Sequence, residues 1–293
     1  MTINSTVDIS SRSYITISHF TFSGAGVSGN GTSSHNIIDH NNSNTTMLRI
    51  IDGQGSAGSD NIMSNNVIVF PNHSNNATCF YVYGDRNRFE NNDCSGGGGD
   101  FLDWGGTNVV VRNNKFHDID GSLSGEHMDF FQVIGGGTTP TGSFSLSEGN
   151  VEYNCKNDGG NCHNVIIRTG GAGGTAGADT IIVRFNYAHD IDGSGASFGG
   201  VGDNVPNSAF YNNTYATFTA TGSGNCASYQ NAPAGEAFNN ICYNLGTAGQ
   251  FQVGGCNSSG LTGVCNGNLL FDTGYTGSWD SVYSGEEIGR AHV

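Results

Sequence analysis

The chain has little charge, few cations and little proline. Charged residues are 12% of its 293, Lys and Arg number 10 against 25 Asp and Glu, and there are 4 prolines. A typical globular composition carries about twice that share of charge. The formal net charge of −15 argues against nucleic acid and anionic membranes as partners, since both attract basic surfaces. No run of 18 apolar residues occurs, which excludes a membrane-spanning helix. No C-x2-C pair occurs among the eight cysteines, so zinc-ribbon spacing is missing. No stretch shows the apolar periodicity of a helix. No apolar leader precedes the first strand-like run, and neither end shows an amphipathic cap.

What is present is repetition. Short β-branched or aromatic runs are punctuated by Gly, Asn and Ser, with Gly alone at 47 residues. An asparagine returns in a short apolar-x-x-Asn pattern: Phe89-Glu90-Asn91-Asn92, Val111-Arg112-Asn113-Asn114, Val151-Glu152-Tyr153-Asn154, Val183-Arg184-Phe185-Asn186 and Phe210-Tyr211-Asn212-Asn213. Weaker copies lie at Asn42, Asn66, Asn240 and Asn268, giving intervals between 22 and 40 residues. Self-similarity at that period means stacked supersecondary units. One asparagine per unit predicts an internal amide ladder in which Asn92, Asn114, Asn154, Asn186 and Asn213 share one column.

This pattern resembles the right-handed parallel β-helix of the pectate-lyase-like superfamily, from Tyr14 to about Phe271. The resemblance implies an all-β solenoid of about ten coils, on the order of 45–50 Å long at the usual strand spacing. It says little about function, because the superfamily includes polysaccharide lyases, glycoside hydrolases, epimerases, esterases, phage tailspikes and adhesive proteins. The reading is a single domain over residues 1–286. Residues 287–293, Glu287-Ile288-Gly289-Arg290-Ala291-His292-Val293, resemble translated sequencing-adapter read-through. They are set aside as a non-native tail. The expectation is then an uncapped fragment of a longer protein.

The cysteines fall in four near neighbours: Cys79/Cys94, Cys155/Cys162, Cys226/Cys242 and Cys256/Cys265. Local even pairing favours disulfides, and with them an extracellular or cell-surface location. Free or metal-bound thiols are the alternative. Alignment on the asparagine puts Glu90, Arg112, Glu152 and Arg184 at one position, alternating in sign as cross-strand pairing favours. This column reads as a solvent-facing salt-bridge ladder or as a row of Arg for an acidic sugar. The segment 112–122 is echoed at 184–194, and Asp118, Asp158 and Asp190 are expected to stack. That stack suits calcium or, alternatively, Asx-turns at a corner.

The repeat stretches between Asn114 and Asn154 and again after it, and insertions on a rigid scaffold are where function concentrates. Here lies Gly125-Glu126-His127-Met128-Asp129-Phe130-Phe131-Gln132. Seven of the nine Lys and Arg other than Arg290 fall between Arg86 and Arg184. These point to a groove for acidic polysaccharide. Trp104, Tyr81, Tyr83, Phe101 and Phe130 are either stacking platforms or interior filling. The leading chemistry is β-elimination, as in resembling lyases. Calcium would be held by Asp103, Glu126 and Asp129, with His127, Lys115 or Arg168 abstracting a proton or stabilising the enolate. Trp104, Gln132 and Arg184 would bind substrate. No organic cofactor is expected. The alternatives are a non-catalytic glycan-binding or adhesive rod, and a glycoside hydrolase with paired carboxylates such as Asp103 and Asp129.

Overall fold

A computed structural model describes residues 1–30, 32–50, 58–71, 78–120, 128–134, 144–157, 162–168, 180–193, 200–201, 209–218, 225–229, 236–243, 250–253, 265–266 and 269–271. All regular structure among them is β. Three parallel sheets of 11, 10 and 10 strands run the length of the molecule. Within each sheet a strand pairs with the one three elements later in sequence, one coil onward. This is a parallel β-helix. The first sheet begins at Thr2–Ile3, the second at Val7–Asp8 and the third at Thr16–Ser18. Among the described residues no helix is long and apolar enough to cross a membrane.

The coil is shaped at the ends of the third sheet, whose strands are mostly three residues long. From Ile37–Asp39 to Ile182–Arg184, each is bracketed by a left-handed residue followed by an inward-pointing one. One example is Asp60-Asn61-Ile62-Met63-Ser64-Asn65-Asn66, where Asp60 has φ 60° and Asn65 has φ 54°. Asn and Asp tolerate that region better than other side-chain-bearing residues, which explains the Asn-Asn doublets. The first Asn of a doublet turns the corner and the second points into the core.

The inward asparagines Asn41, Asn66, Asn92, Asn114, Asn150, Asn186, Asn213 and Asn240 form one continuous column, all buried. From Asn66 onward each Oδ1 accepts from the backbone N–H and the side-chain amide of the preceding coil's asparagine, and Asn41 Oδ1 accepts from Phe20 N. Asn92 N and Nδ2 thus lie 2.9 and 3.0 Å from Asn114 Oδ1. Each Nδ2 also donates to a backbone carbonyl, as Asn92 does to Met63 at 2.9 Å. A shorter column, Asn36, Asn61 and Asn87, does the same at the other end of the third sheet.

Two expectations are corrected. Asn150 occupies the ladder where Asn154 was expected, and Asn41 where Asn42 was expected. Ser147-Glu148-Gly149-Asn150 has its left-handed corner at Gly149 (φ 67°), so Asn150 turns inward. Asn154 is itself a left-handed residue (φ 54°) inside the next strand of the first sheet. Ser147 stands where the pattern has an apolar residue, so apolar-x-x-Asn matches only at Val151-Glu152-Tyr153-Asn154. Asn268 lies outside the described residues. The same shift corrects the charge column, which is Glu90, Arg112, Glu148 and Arg184. Arg112 Nε is 3.1 Å from a Glu148 oxygen, and Arg184 pairs with the other.

Glu152 instead points inward, between Phe116 and Ala188 on consecutive strands, with Tyr215 next. The rest of the interior is aliphatic and aromatic. Phe101, Phe116, Phe130, Phe131 and Trp104 pack ring against ring, with Phe116 and Phe131 at 4.9 Å and Trp104 and Phe131 at 6.2 Å. Cys79 and Cys94 are buried, free and in side-chain contact, so that expected disulfide is not formed. Cys155 is disulfide-bonded. The side chains of Cys162, Cys226, Cys242, Cys256 and Cys265 lie outside the described residues, as do Asp158 and residues 272–293.

Candidate functional site

In the middle coils the first sheet lengthens. The strands Lys115–Asp120, Val151–Asn157 and Tyr187–Gly193 span 6, 7 and 7 residues, against two to four earlier in that sheet. Each carries a left-handed residue at its centre: Asp118 (φ 57°), Asn154 (φ 54°) and Asp190 (φ 53°). That kink breaks the in-out alternation and puts two neighbouring residues on the outer face. The pairs are His117/Asp118, Tyr153/Asn154 and His189/Asp190. Asn154, and not Asp158, thus stands between the two aspartates, and its amide donates to Asp118.

His117, Tyr153 and His189 are directly opposite one another in register. Their rings stack nearly parallel, at 4.6 Å and 5.1 Å between centroids. Tyr187 closes on His189 at 4.7 Å. Carboxylates flank the file. His117 Nε2 is 2.8 Å from Asp93 and its Nδ1 is 2.8 Å from Asp118. His189 Nδ1 is 2.8 Å from Asp190. Partial burial raises the Asp118 carboxyl, but hydrogen bonds from His117 and Asn154 outweigh it and hold the group below its usual value. The Tyr153 phenol is pushed up by burial and by the charges of Asp118 and Asp93.

The stacked rings present their edges to solvent. The Tyr153 hydroxyl has no hydrogen-bond partner among the described residues. Lys115 lies outward in the strand next to Asp93, and Lys156 is close enough to Asp118 to lower its pKa. Neither ammonium is in an ion pair among the described residues, and these are the only lysines of the chain. The arginines of the middle coils are differently placed. Arg86 makes two 2.7 Å contacts to Asp60, and Arg88 is 2.7 Å from Glu90. Arg112 and Arg184 share Glu148.

The residues singled out from sequence are therefore spread over three faces. Lys115 belongs to the first sheet. Asp103 faces outward from the second sheet, with Gln132 beside it in register. Arg184 is on the third sheet, where it pairs with Glu148 and donates to the Tyr211 hydroxyl at 2.8 Å. Lys115, Asp103 and Arg184 are thus carried by three different sheets of the solenoid. Trp104 is not a surface platform: alternation turns it inward, and it is 2% exposed. Phe101 and Phe130 are likewise interior. Gln132, Asp129 and Arg168 lie on strands of the second sheet, but their side chains are outside the described residues. Glu126 and His127 are outside them altogether. Among the described residues no group of three His, Cys, Asp or Glu is arranged to hold a metal.

Sequence reasoning did not select His117, Tyr153, His189 or Asp93 as site residues. The signal was present in the echo between Lys115-Phe116-His117-Asp118 and Tyr187-Ala188-His189-Asp190. Setting Val151-Glu152-Tyr153-Asn154 between them would have aligned the three rings.

No protein-family model matches the chain, and no curated protein does. The fold is similar to the structure described as the Siphovirus 9NA tailspike receptor binding domain. The TM-score is 0.32 and the identity 9%, over 98% of this chain and 71% of that one. A likeness of that size gives no residue correspondence, and the site is read from its own chemistry. What is shown is a parallel β-helix; membership of the pectate-lyase-like superfamily is not.

Proposed function

We propose that this protein is a carbohydrate-binding β-helix that engages an acidic polysaccharide along the outer face of its first sheet. The observation that carries the reading is the His117–Tyr153–His189 file with Lys115 and Lys156 beside it. The carboxylates Asp93, Asp118 and Asp190 are engaged by the histidines. Lys115 and Lys156 are the ammonium groups of this face, Lys156 in register between Asp120 and Asp192. Rungs about 4.8 Å apart offer a repeating set of polar edges, which suits a polymer with repeating hydroxyl and carboxylate groups. Charge-assisted hydrogen bonds from an ammonium to a uronate or sulfate supply the strongest single contacts. An extracellular or cell-surface location goes with this reading, supported by the disulfide at Cys155.

A second, finer reading is β-elimination on the same polymer. Its support is Lys115, whose ammonium makes no ion pair among the described residues, beside Asp93 and His117 in register. Calcium bound through Asp103, Glu126 and Asp129, and roles for His127 and Arg168, belong to this reading as proposals.

Calorimetric titration with pectate, alginate and sulfated glycans tests both. Lys115→Ala combined with Lys156→Ala should weaken binding about tenfold or more, the equivalent of about 1.4 kcal/mol. Unchanged affinity in the double variant rejects the face as the binding surface. Ultraviolet absorbance of unsaturated product in the same mixtures, with and without a chelator, decides elimination. Binding with no product leaves a non-catalytic glycan binder.

A further inference from the structure

The corner between the third sheet and the first is turned by left-handed residues. From Asn65 to Asn239 these are asparagine or glycine in every coil but one, where Phe185 takes φ 55°. A bulky aromatic is disfavoured in that region. Burial does not compensate, because Phe185 is 54% exposed.

Phe185 has company on the outer face. Tyr211 and Phe238 stand in register on consecutive strands, and their rings stack at 4.7 Å with 3° between planes. Phe185 stands across that stack, 6.2 Å from Tyr211 at 78°. The Arg184 guanidinium lies 5.7 Å from the Phe185 ring centroid and 5.9 Å from that of Tyr211. Two rings thus flank one cation, and a third extends the stack.

That cation has capacity left. A guanidinium carries five N–H groups. The Nε and one Nη2 hydrogen of Arg184 go to Glu148, and one Nη1 hydrogen goes to the Tyr211 hydroxyl. Two N–H groups remain. Glu148 is shared with Arg112, and Arg88 pairs with Glu90. From Arg88 to Tyr211 the outer face of this sheet therefore sets three guanidiniums against two carboxylates, on a chain of formal net charge −15. The next acid of the face, Glu236, lies two strands beyond Ile182 in the other outward column.

We propose that Phe185, Arg184 and Tyr211 form a second carbohydrate subsite, which takes one carboxylated sugar unit. The sugar packs its C–H face on the exposed Phe185 ring. Its carboxylate accepts from the two remaining N–H groups of Arg184, the bidentate geometry that guanidinium favours. The strained phenylalanine is then retained for a contact made only with ligand, as strain at functional positions is. The subsite lies on a different sheet from Lys115 and Lys156 and does not rest on the first-sheet reading.

Phe185→Asn separates a binding role from a structural one, because asparagine suits a left-handed corner. The probes are trimers of galacturonate, glucuronate and mannuronate, titrated into the whole protein by calorimetry and saturation-transfer NMR. The background is the Lys115→Ala, Lys156→Ala double variant, so that third-sheet binding is read by itself. One trimer should bind this background with one site per chain. Adding Phe185→Asn should weaken it about tenfold or more while the melting temperature holds or rises, and Arg184→Gln should weaken it to a similar degree. The proposal is overturned if no trimer binds the background, or if Phe185→Asn leaves affinity unchanged. It is equally overturned if Phe185→Asn lowers the melting temperature, since the ring then serves the fold. Binding lost between parent and double variant belongs to the first-sheet reading, and binding lost on adding Phe185→Asn belongs to this one.

Discussion

The side chains of Asn114 and Asn150 are hydrogen-bonded at 3.0 Å across 36 residues of sequence. The ladder therefore continues unbroken through a coil that carries a large insertion. A solenoid tolerates this because each coil needs only its corners in register. Chain added between corners leaves the stack untouched, and the closure entropy of a longer loop grows only slowly. Asn114 Oδ1 accepts from Asn92 N and Nδ2, and its Nδ2 donates to Phe89 O and Asn150 Oδ1.

Removing that amide leaves several buried polar groups unpaired, each costing about 1–3 kcal/mol. Asn114→Ala should therefore destabilise the protein by about 3 kcal/mol or more in urea titration. Asn154→Ala, which removes the asparagine of the decoy motif, should cost less than about 1 kcal/mol, since its bond to Asp118 is exposed. Equal losses in the two variants would show the ladder assignment to be wrong.

Glu152 is fully buried, and neither carboxyl oxygen has a hydrogen-bond partner among the described residues. Desolvation pushes its pKa well above 4.5 in the folded protein. A raised acid contributes stability that is complete below its unfolded pKa and is lost as pH climbs toward the folded one. Stability should fall from about pH 5 upward, by at most about 1.4 kcal/mol per pH unit from this group. Glu152→Gln should flatten that slope and melt higher than the parent at neutral pH. A parent and variant with parallel pH profiles of melting temperature would contradict it.

Asp39 behaves in the opposite sense. Burial alone raises its pKa, but hydrogen bonds from Asn65, Ser64 and His40 outweigh that and bring it down to about 2. A depressed acid stabilises above its unfolded value and loses that contribution as pH falls through the folded one. Asp39→Asn should cost about 1–2 kcal/mol at neutral pH, after discounting for partial exposure, and nearly nothing near pH 2. Denaturant midpoints at the two pH values check it.

The charge ladder of the third sheet should be worth little pair by pair. Arg112 and Glu148 are partly solvent-exposed, and such pairs contribute about 0–1 kcal/mol. Glu148→Ala should be nearly neutral. Glu148→Arg sets like charges beside both Arg112 and Arg184 and should destabilise by about 1 kcal/mol, less as salt is raised. A melting temperature insensitive to salt in Glu148→Arg would remove the electrostatic account.

On the binding face, Tyr153→Ala removes the middle ring of a three-ring file. It should weaken polysaccharide binding more than Tyr187→Ala at the end of the file, because Tyr153 stacks on both His117 and His189 whereas Tyr187 stacks on His189 alone. Equal affinities in the two variants, by affinity electrophoresis, would detach the file from recognition.

The sequence by itself determined the repeat, the all-β class and the parallel solenoid, because one asparagine per coil with β-branched spacers satisfies few other architectures. It also carried the alternation of Glu and Arg in one column. It pointed to Asn154 for the ladder, because Ser147 interrupts the apolar-x-x-Asn pattern ahead of Asn150, and it did not carry which of the two turns inward. That depends on a backbone dihedral: Gly149 turns the corner for Asn150, whereas Asn154 is the corner itself. Tertiary structure alone decided which face each side chain occupies. One residue of register moves a side chain between core and solvent. This sent Trp104 inward, placed Glu152 in the core, and separated Lys115, Asp103 and Arg184 onto three sheets. The same register stacked His117, Tyr153 and His189, brought together from 73 residues of chain only by the rise of one strand per coil.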